Sequence, residues 1–349
     1  MTHFNNNDST TNIDGIPLED AVEQYLSYRE HELSQATLQG HNYRLSHLPR
    51  WAADRDDIAD TADLTPRSLF EYRQWRQQDG DLNIVSVHTQ MSTVRTFIKT
   101  CEQMGIVAPD LHSSVPVPSP DGADERESLL DAERAGTIRE YLSRYQYASF
   151  DHVLFELLWS TGMRVGSARS IDVSDVDCTA AQLRLRHRPD SDTPLKNGQR
   201  GERSIALPSD VVSACRDYLD ARRPDAVETT ADGRREPFFV REEGRGRPSK
   251  TTLRRAVYRL TQPCLHSECP HGTSPDECDA AGYTSRPSGC PSIRSPHDIR
   301  RGSITTYLRD DVPVAAIRDR SNVSETVLDK HYDVRSESEK AEQRRKYFE

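Results

Sequence analysis

The stretch Ser295-Pro296-His297-Asp298-Ile299-Arg300-Arg301 decides how this chain is read. Ser295 has the chemistry of a helix N-cap and Pro296 suits the first helical position. Asp298, three residues after the cap, completes a Ser-x-x-acid start signal. His297 and Arg300 lie three apart and so project from one face of the first turn. An imidazole and a guanidinium fork beside the N–H groups of a helix start suit an anion, a phosphate above all. An isolated His-x-x-Arg would merely cap or solvate a helix, so its weight depends on what else the chain carries.

Three other places answer that question. Ser160-Thr161-Gly162-Met163-Arg164-Val165-Gly166 ends an apolar helix at Gly162 and presents Arg164 on the turn into the next helix. Lys196, in Thr193-Pro194-Leu195-Lys196-Asn197-Gly198, stands at the tip between two expected strands, Gln182–Arg186 and Arg203–Pro208. Tyr332 follows downstream in Asp329-Lys330-His331-Tyr332-Asp333. Taken singly, these read as a capping arginine, a solvated lysine and a packed tyrosine.

The 349 residues are 29% charged and 34% hydrophobic, enough chain for two or three domains. No apolar run approaches the roughly 18 residues of a membrane span. Met1 to Asn7 has neither a charged n-region nor an apolar h-region, so secretion is not expected. Seven cysteines, four of them bunched between Cys264 and Cys290, point to a metal or to free thiols in a reducing cytoplasm rather than a disulfide framework. The net charge of -10 argues in bulk against a nucleic-acid partner. Base is locally concentrated, however: residues 234–259 carry 9 basic and 3 acidic side chains. Only six of the 46 basic residues are lysine. Such an acidic, arginine-rich surface is the composition expected of a protein working in high salt, where DNA binding leans on shape and hydrogen bonds.

Residues 1–15 read as a disordered tail. Helices are expected from Leu18, from Ser34 to about Ala53, from Pro66 behind a Thr65 cap, and from about Ser86 to Met104 ahead of Gly105, with no strand signal. This gives a helical domain over 16–112. Three prolines between Val115 and Gly122 predict an extended linker over 113–126. A second domain over 127–349 opens with helices at about 131–147 and 150–161, continues through the strands, and resumes with helices at about 209–222, 249–262 and from Pro296. A turn-rich Cys/His segment occupies 263–295.

Together and in this order, Thr161-Gly162-Met163-Arg164, Lys196, His297-x-x-Arg300 and Tyr332 resemble the tyrosine recombinase (phage integrase) family, of Xer type. The resemblance covers about residues 127–340. The helical first half and its linker resemble that family's core-binding domain, and the tail from Asp329 to Glu342 is similar to integrase-like proteins of haloarchaea. The implied fold is mainly α with a small antiparallel hairpin or sheet: an all-helical SAM-like N-terminal domain and an α+β catalytic domain. The implied function is site-specific recombination of double-stranded DNA in the cytoplasm, by a homo-oligomer of four protomers on paired sites. Tyr332 would attack a phosphodiester to give a 3′-phosphotyrosyl intermediate, with no nucleotide cofactor. Arg164 and Arg300 would clamp the non-bridging oxygens, His297 would bond the phosphate or accept the tyrosine proton, and Lys196 would protonate the leaving 5′-oxygen. Two family positions are not matched. The acidic residue three after the first arginine is Ser167 here, and the His or Trp before the tyrosine falls near Asp319-Arg320, where Arg320 would bond phosphate. These departures motivate an alternative, a catalytically inactive DNA-binding protein on the same fold. Tyr307 is a rival nucleophile on the same expected helix as His297.

Two further expectations come from the residues alone. A basic face of Lys250, Arg254, Arg255 and Arg259, opposite apolar 253, 256, 257 and 260, is the expected DNA-contacting helix. Cys269, His271, Cys278 and Cys290, with Cys264 and His266 as alternates, fit a structural zinc site in the loop before His297.

Overall fold

A computed structural model of the chain describes residues 13–120, 128–225, 235–241, 246–281, 289–345 and 347–348. Most of the expected tail, the end of the linker, residues 234 and 242–245 of the basic run, and 282–288 of the Cys/His segment lie outside the described residues. The chain divides into two compact units, Met1–Arg126 and Glu127–Glu349.

Among its described residues the first unit holds helices and no strand: α1 (Leu18–Arg29), α2 (Gln35–Leu45), α3 (His47–Ala52), α4 (Pro66–Asp79) and α5 (Ile84–Met104). α5 is its axis. Val87, Met91, Val94, Phe97, Ile98 and Cys101 recur at helical spacing and are buried against α1, α2 and α4. Asn83 caps its start and Gly105, in the left-handed region at φ 74°, ends it. The single helix expected from Ser34 to Ala53 is two. Pro49 lacks an N–H and its ring would strike the Leu45 carbonyl of a continuous helix, so the chain breaks at Ser46. Of the expected linker, Ser113 and Ser114 close a short 3-10 turn (Leu111–Ser114), and residues 115–120, which carry no helix or strand, dock on this unit. Val115 is buried, Arg95 Nη2 donates to the Val115 carbonyl at 2.8 Å, and His88 Nδ1 meets the Pro118 carbonyl at 2.7 Å.

The second unit holds α6 (Ala132–Tyr145), α7 (Phe150–Thr161) and α8 (Val165–Ser170). β1 (Val176–Asp177), β2 (Gln182–Leu185) and β3 (Arg203–Ala206) follow, then α9 (Ser209–Asp217) and α10 (Lys250–Leu260). It closes with α11 (Pro296–Arg309), α12 (Val314–Ser321), α13 (Glu325–His331) and α14 (Glu337–Arg345). The strands form one antiparallel sheet in the order β1-β2-β3, with Leu183 opposite Ile205 and Leu185 opposite Arg203. α7 is buried nearly all round and lies beside α11. Gly302 permits that approach, because a Cβ there would fall 1.8 Å from the Leu130 carbonyl oxygen and 3.1 Å from the Trp159 ring. α11 thereby brings its first turn to the C-terminal end of α7, which positions the site. No described helix is long and apolar enough to cross a membrane.

Candidate active site

The start of α11 is built as its sequence requires. Ser295 Oγ accepts the Asp298 N–H at 3.2 Å, and the Asp298 carboxylate accepts the Ser295 N–H at 2.6 Å. Asp298 also accepts Ser128 Oγ at 2.8 Å, which ties the start of the second unit to this turn. His297 is exposed, whereas Arg300 is only 1% exposed.

Arg300 is the centre of the arrangement. Its Nη1 donates to the carbonyls of Gly162 at 2.5 Å and Ser321 at 2.7 Å. Its Nε donates to the Tyr332 hydroxyl at 3.0 Å. Its Nη2 is buried without a hydrogen-bond partner among the described residues. The Gly162 carbonyl reaches Arg300 because Gly162 ends α7 in the left-handed region at φ 59° and turns the chain into α8. On the other side of that turn, Arg164 caps α8 and donates from Nη1 to the Asn322 carbonyl at 3.3 Å. Burial first, then the charge of Arg300, lower the Arg164 pKa, while Tyr332 acts in the opposite sense.

Tyr332 ends α13, is 2% exposed, and has its ring centroid 5.7 Å from that of His297. Thr305 Oγ1 holds its carbonyl at 2.8 Å. Tyr307 is engaged elsewhere, donating its hydroxyl to the Ser160 carbonyl. Of the two tyrosines, only Tyr332 bonds Arg300. Lys196 is exposed in the β2–β3 connection and lines a pocket of about 900 Å³ with Arg164, Arg200, Arg203, Arg318 and Asn322. Asn197 Nδ2 donates to Asn322 Oδ1 at 2.8 Å and so ties the Lys196 loop to the end of α12. The structure thus gathers Arg164, Arg300 and Tyr332 directly, with His297 against Tyr332 and Lys196 in the pocket beside Arg164.

Two expected phosphate ligands have other tasks. Arg320 places Nε and Nη2 on the Ser160 carbonyl at 2.9 and 2.6 Å, and Nη1 on the Ala206 carbonyl at 2.8 Å. Its whole fork joins α7, α12 and β3, so the expectation of a phosphate contact is withdrawn. Arg259 pairs with Asp151. That removes it from the basic face of α10, where Lys250, Arg254 and Arg255 stay exposed over buried Leu253, Ala256, Val257 and Leu260. Lys250 passes next to Gly166, close to the Arg164 turn.

Sequence reading missed Arg203. Its Nε donates to the Arg320 carbonyl at 2.7 Å and its Nη1 to the Gly201 carbonyl at 2.9 Å. Burial first, then the charges of Arg300, Arg164 and Arg320, pull its pKa down to about 10. Strand alternation carried the signal: Arg203 shares a face with buried Ile205, so an arginine points inward. The carbonyl braces from Ser321 and Asn322 carry no sequence signal, since any residue supplies a carbonyl.

The expected zinc ligands are not assembled as a set. Among the described residues, no group of three or more His, Cys, Asp or Glu is arranged to hold a metal ion. His271 is exposed and its Nε2 meets Ser292 Oγ at 2.9 Å, and His266 Nε2 meets the Leu260 carbonyl at 3.2 Å. Cys264, Cys269, Cys278 and Cys290 instead line one pocket of about 780 Å³, with His271 on its wall.

The phage integrase family profile matches residues 124–274, and the profile for the phage integrase N-terminal SAM-like domain matches residues 22–103. The first match includes Arg164 and Lys196 and stops before His297. Tyrosine recombinase XerC of Mycobacterium sp. (strain KMS) is 24% identical over 221 residues, covering 61% of this chain and 68% of that protein. Tyrosine recombinase XerC of Pelobacter propionicus is 24% identical over 253 residues, covering 70% and 75%. The solved structure of the Tn1549 transposon integrase in complex with circular intermediate DNA aligns with a TM-score of 0.64 at 15% identity, covering 94% of this chain and 99% of that one. A lambda integrase dimer bound to a COC′ core site aligns at 0.61 and 14% identity, covering 90% and 97%. Both structural likenesses bear on the fold.

Proposed function

This chain belongs to the phage integrase family of tyrosine recombinases, and we propose that it cuts and rejoins double-stranded DNA at specific sites through Tyr332. The observation that carries this reading is the setting of Arg300. A buried guanidinium donates one N–H to a tyrosine hydroxyl, keeps another buried without a partner, and has a second arginine beside it. Among the described residues, none of Arg164, Arg203, Arg300 and Arg320 forms an ion pair with a carboxylate. Positive charge left without a counter-ion in a half-dry pocket is worth most when an anion enters.

In the proposed reaction, a scissile phosphate places its non-bridging oxygens on Arg164 and on Nη2 of Arg300. The Tyr332 oxygen attacks phosphorus, forming the Tyr–O–P bond as the bond to the 5′-oxygen breaks. The N–H from Arg300 favours the developing phenolate, and the tyrosine proton passes to His297. Lys196 supplies the proton that the 5′-oxygen takes up. Rejoining is the same path reversed, so bond energy is conserved. Because Tyr332 is 2% exposed, the DNA must draw α13 open to meet it. Lys250, Arg254 and Arg255 would hold flanking phosphates.

The second reading, a DNA-binding protein without catalysis, is favoured by Ser167 and by the structural use of Arg320. One assay separates the two. The full chain is incubated with nicked suicide duplex carrying a site that the chain has selected from a random-sequence pool. Strand cleavage predicts a covalent protein–DNA adduct that Tyr332→Phe abolishes. Binding without an adduct assigns the chain to the second reading.

We also propose that the thiol pocket takes a structural zinc through Cys264, Cys269, Cys278 and Cys290, a four-thiolate set in place of the expected set with His271. All four cysteines line one pocket, and in sequence their segment leads to the Ser295 cap. At a Zn–S distance of about 2.3 Å the ion would draw the pocket closed. Chelator-free purification should yield about one zinc per chain, lost in Cys269→Ser and retained in His271→Ala. Metal-free protein with an intact fold contradicts the site.

A further inference from the structure

Arg203 lies outside the family pattern that the sequence matched, yet it stands within the influence of the charges of Arg300, Arg164 and Arg320. It projects from the inner face of β3 into the pocket that also holds Arg164 and Lys196. Two of its nitrogens hold main-chain carbonyls, those of Arg320 and Gly201. Its Nη2 has no protein partner among the described residues. The acidic residues of that pocket, Glu202 and Asp319, are exposed and form no ion pair with it, and Glu202 accepts instead from the His187 N–H at 2.7 Å.

A purely structural role leaves the free Nη2 unexplained, since Arg320, which braces carbonyls only, uses all three of its nitrogens. Two carbonyls can be bridged by a neutral amide, without placing a cation beside Arg164, Arg300 and Arg320. Burying an uncompensated cation is costly. The half-buried arginines Arg188, Arg235 and Arg247 of the same unit all reach the Asp172 carboxylate. The charge of Arg203 is therefore retained for something that enters from outside, and the pocket it faces is the one that would receive a phosphodiester. Its position also answers the family mismatch. The place where a His or Trp is expected is held here by Arg320, whose fork is used internally. The Arg320 carbonyl accepts from Arg203, and that bond steers the Arg203 guanidinium.

We propose that Arg203 is a third arginine on the scissile phosphate, supplying through Nη2 the hydrogen bond that the missing His or Trp leaves unmade. The inference rests on the recombinase reading above and extends it to a residue outside the matched set. Arg203 touches the reacting group and stabilises the charge of the five-coordinate phosphorus together with Arg164 and Arg300.

The test uses the full chain and two versions of the selected suicide duplex, one with the native scissile phosphate and one with a neutral methylphosphonate there. On native DNA, Arg203→Gln should slow adduct formation by about 10²-fold, the scale for loss of one oxyanion donor. On methylphosphonate DNA the wild-type to variant ratio should shrink below about threefold, because the charge that Arg203 offsets is gone. Arg203→Lys, which keeps the charge and one donor to the carbonyls, guards against a folding defect. It should lose about tenfold on native DNA and likewise converge with wild type on the methylphosphonate. An equal loss on both substrates makes Arg203 a structural brace and overturns the proposal, as does a variant that reacts at the wild-type rate. A wild-type chain that forms no adduct on either substrate overturns the recombinase reading itself, and this inference with it.

Discussion

Two arginine clusters in the second unit have opposite electrostatic designs. Around Asp172, which is 2% exposed, stand Arg188, Arg235 and Arg247, with Asp175 gripping Arg188 at 2.8 and 2.7 Å. Asp172 and Asp175 are further joined by the Asp172 N–H, donated to Asp175 at 3.0 Å. Every buried charge there has a partner. Around Arg300 stand Arg164, Arg203 and Arg320, held by the carbonyls of Gly162, Ser321, Asn322, Gly201, Ser160 and Ala206. Carbonyls orient a guanidinium without cancelling its charge. The first cluster carries its counter-charges within itself and joins the β1 region to the segment before α10. The second is oriented and still charged, which is the condition of a site awaiting an anion.

The contrast makes paired substitutions diagnostic. The largest effect is expected at Arg164. Arg164→Gln should cut adduct formation by about 10²–10³-fold, while its thermal midpoint stays level or rises because a cation is removed from like charges. Asp172→Ala should do the reverse. It leaves the half-buried guanidiniums of Arg235 and Arg247 without their carboxylate, while Arg188 keeps Asp175, and should destabilise the fold by about 3–5 kcal/mol in urea unfolding. If Arg164→Gln destabilises as much as Asp172→Ala, the two clusters are not different in kind.

Much of this contrast can be read from the residues, and part of it cannot. Arg164, Arg300 and Tyr332 stand out because helix caps, a Gly-terminated helix and residue order are local signals. The buried face of α10 follows from its period. Arg320 and Arg259 are misread because the partners that occupy them, Ser160 and Asp151, are set by tertiary contact. The break at Ser46 was legible in Pro49, and the inward arginine was legible in the alternation of β3. The docking of the linker on α5 depends on Arg95 and His88, whose distance in sequence hides it.

A smaller effect should come from a simple anion. Sulfate near ten times its dissociation constant should stabilise the wild-type fold by about 1.4 kcal/mol, seen as a rise in thermal midpoint, and Arg164→Gln should lose most of that gain. An equal gain in the variant would place sulfate elsewhere.

The smallest effect is one of pH. The Arg203 pKa is lowered to about 10 by burial and by its neighbours' charge, below the value in the unfolded chain. Between those two values the unfolded chain holds the extra proton, so anion-free stability gains from this residue as pH rises through that window. The sulfate-induced gain should fall over the same range, because the cation that binds is lost. Arg203→Gln should flatten that step, and a step of unchanged size in the variant assigns it to another group.

The most direct measurement is the chemical identity of the protein–DNA link. Adduct formed on suicide DNA is digested with protease and nuclease, and the nucleotide-bearing peptide is sequenced by mass spectrometry. The account predicts a phosphodiester on the hydroxyl of Tyr332, in the segment that closes α13 beside Arg300. A link through Tyr307, or DNA bound at its selected site with no covalent peptide at all, would contradict it.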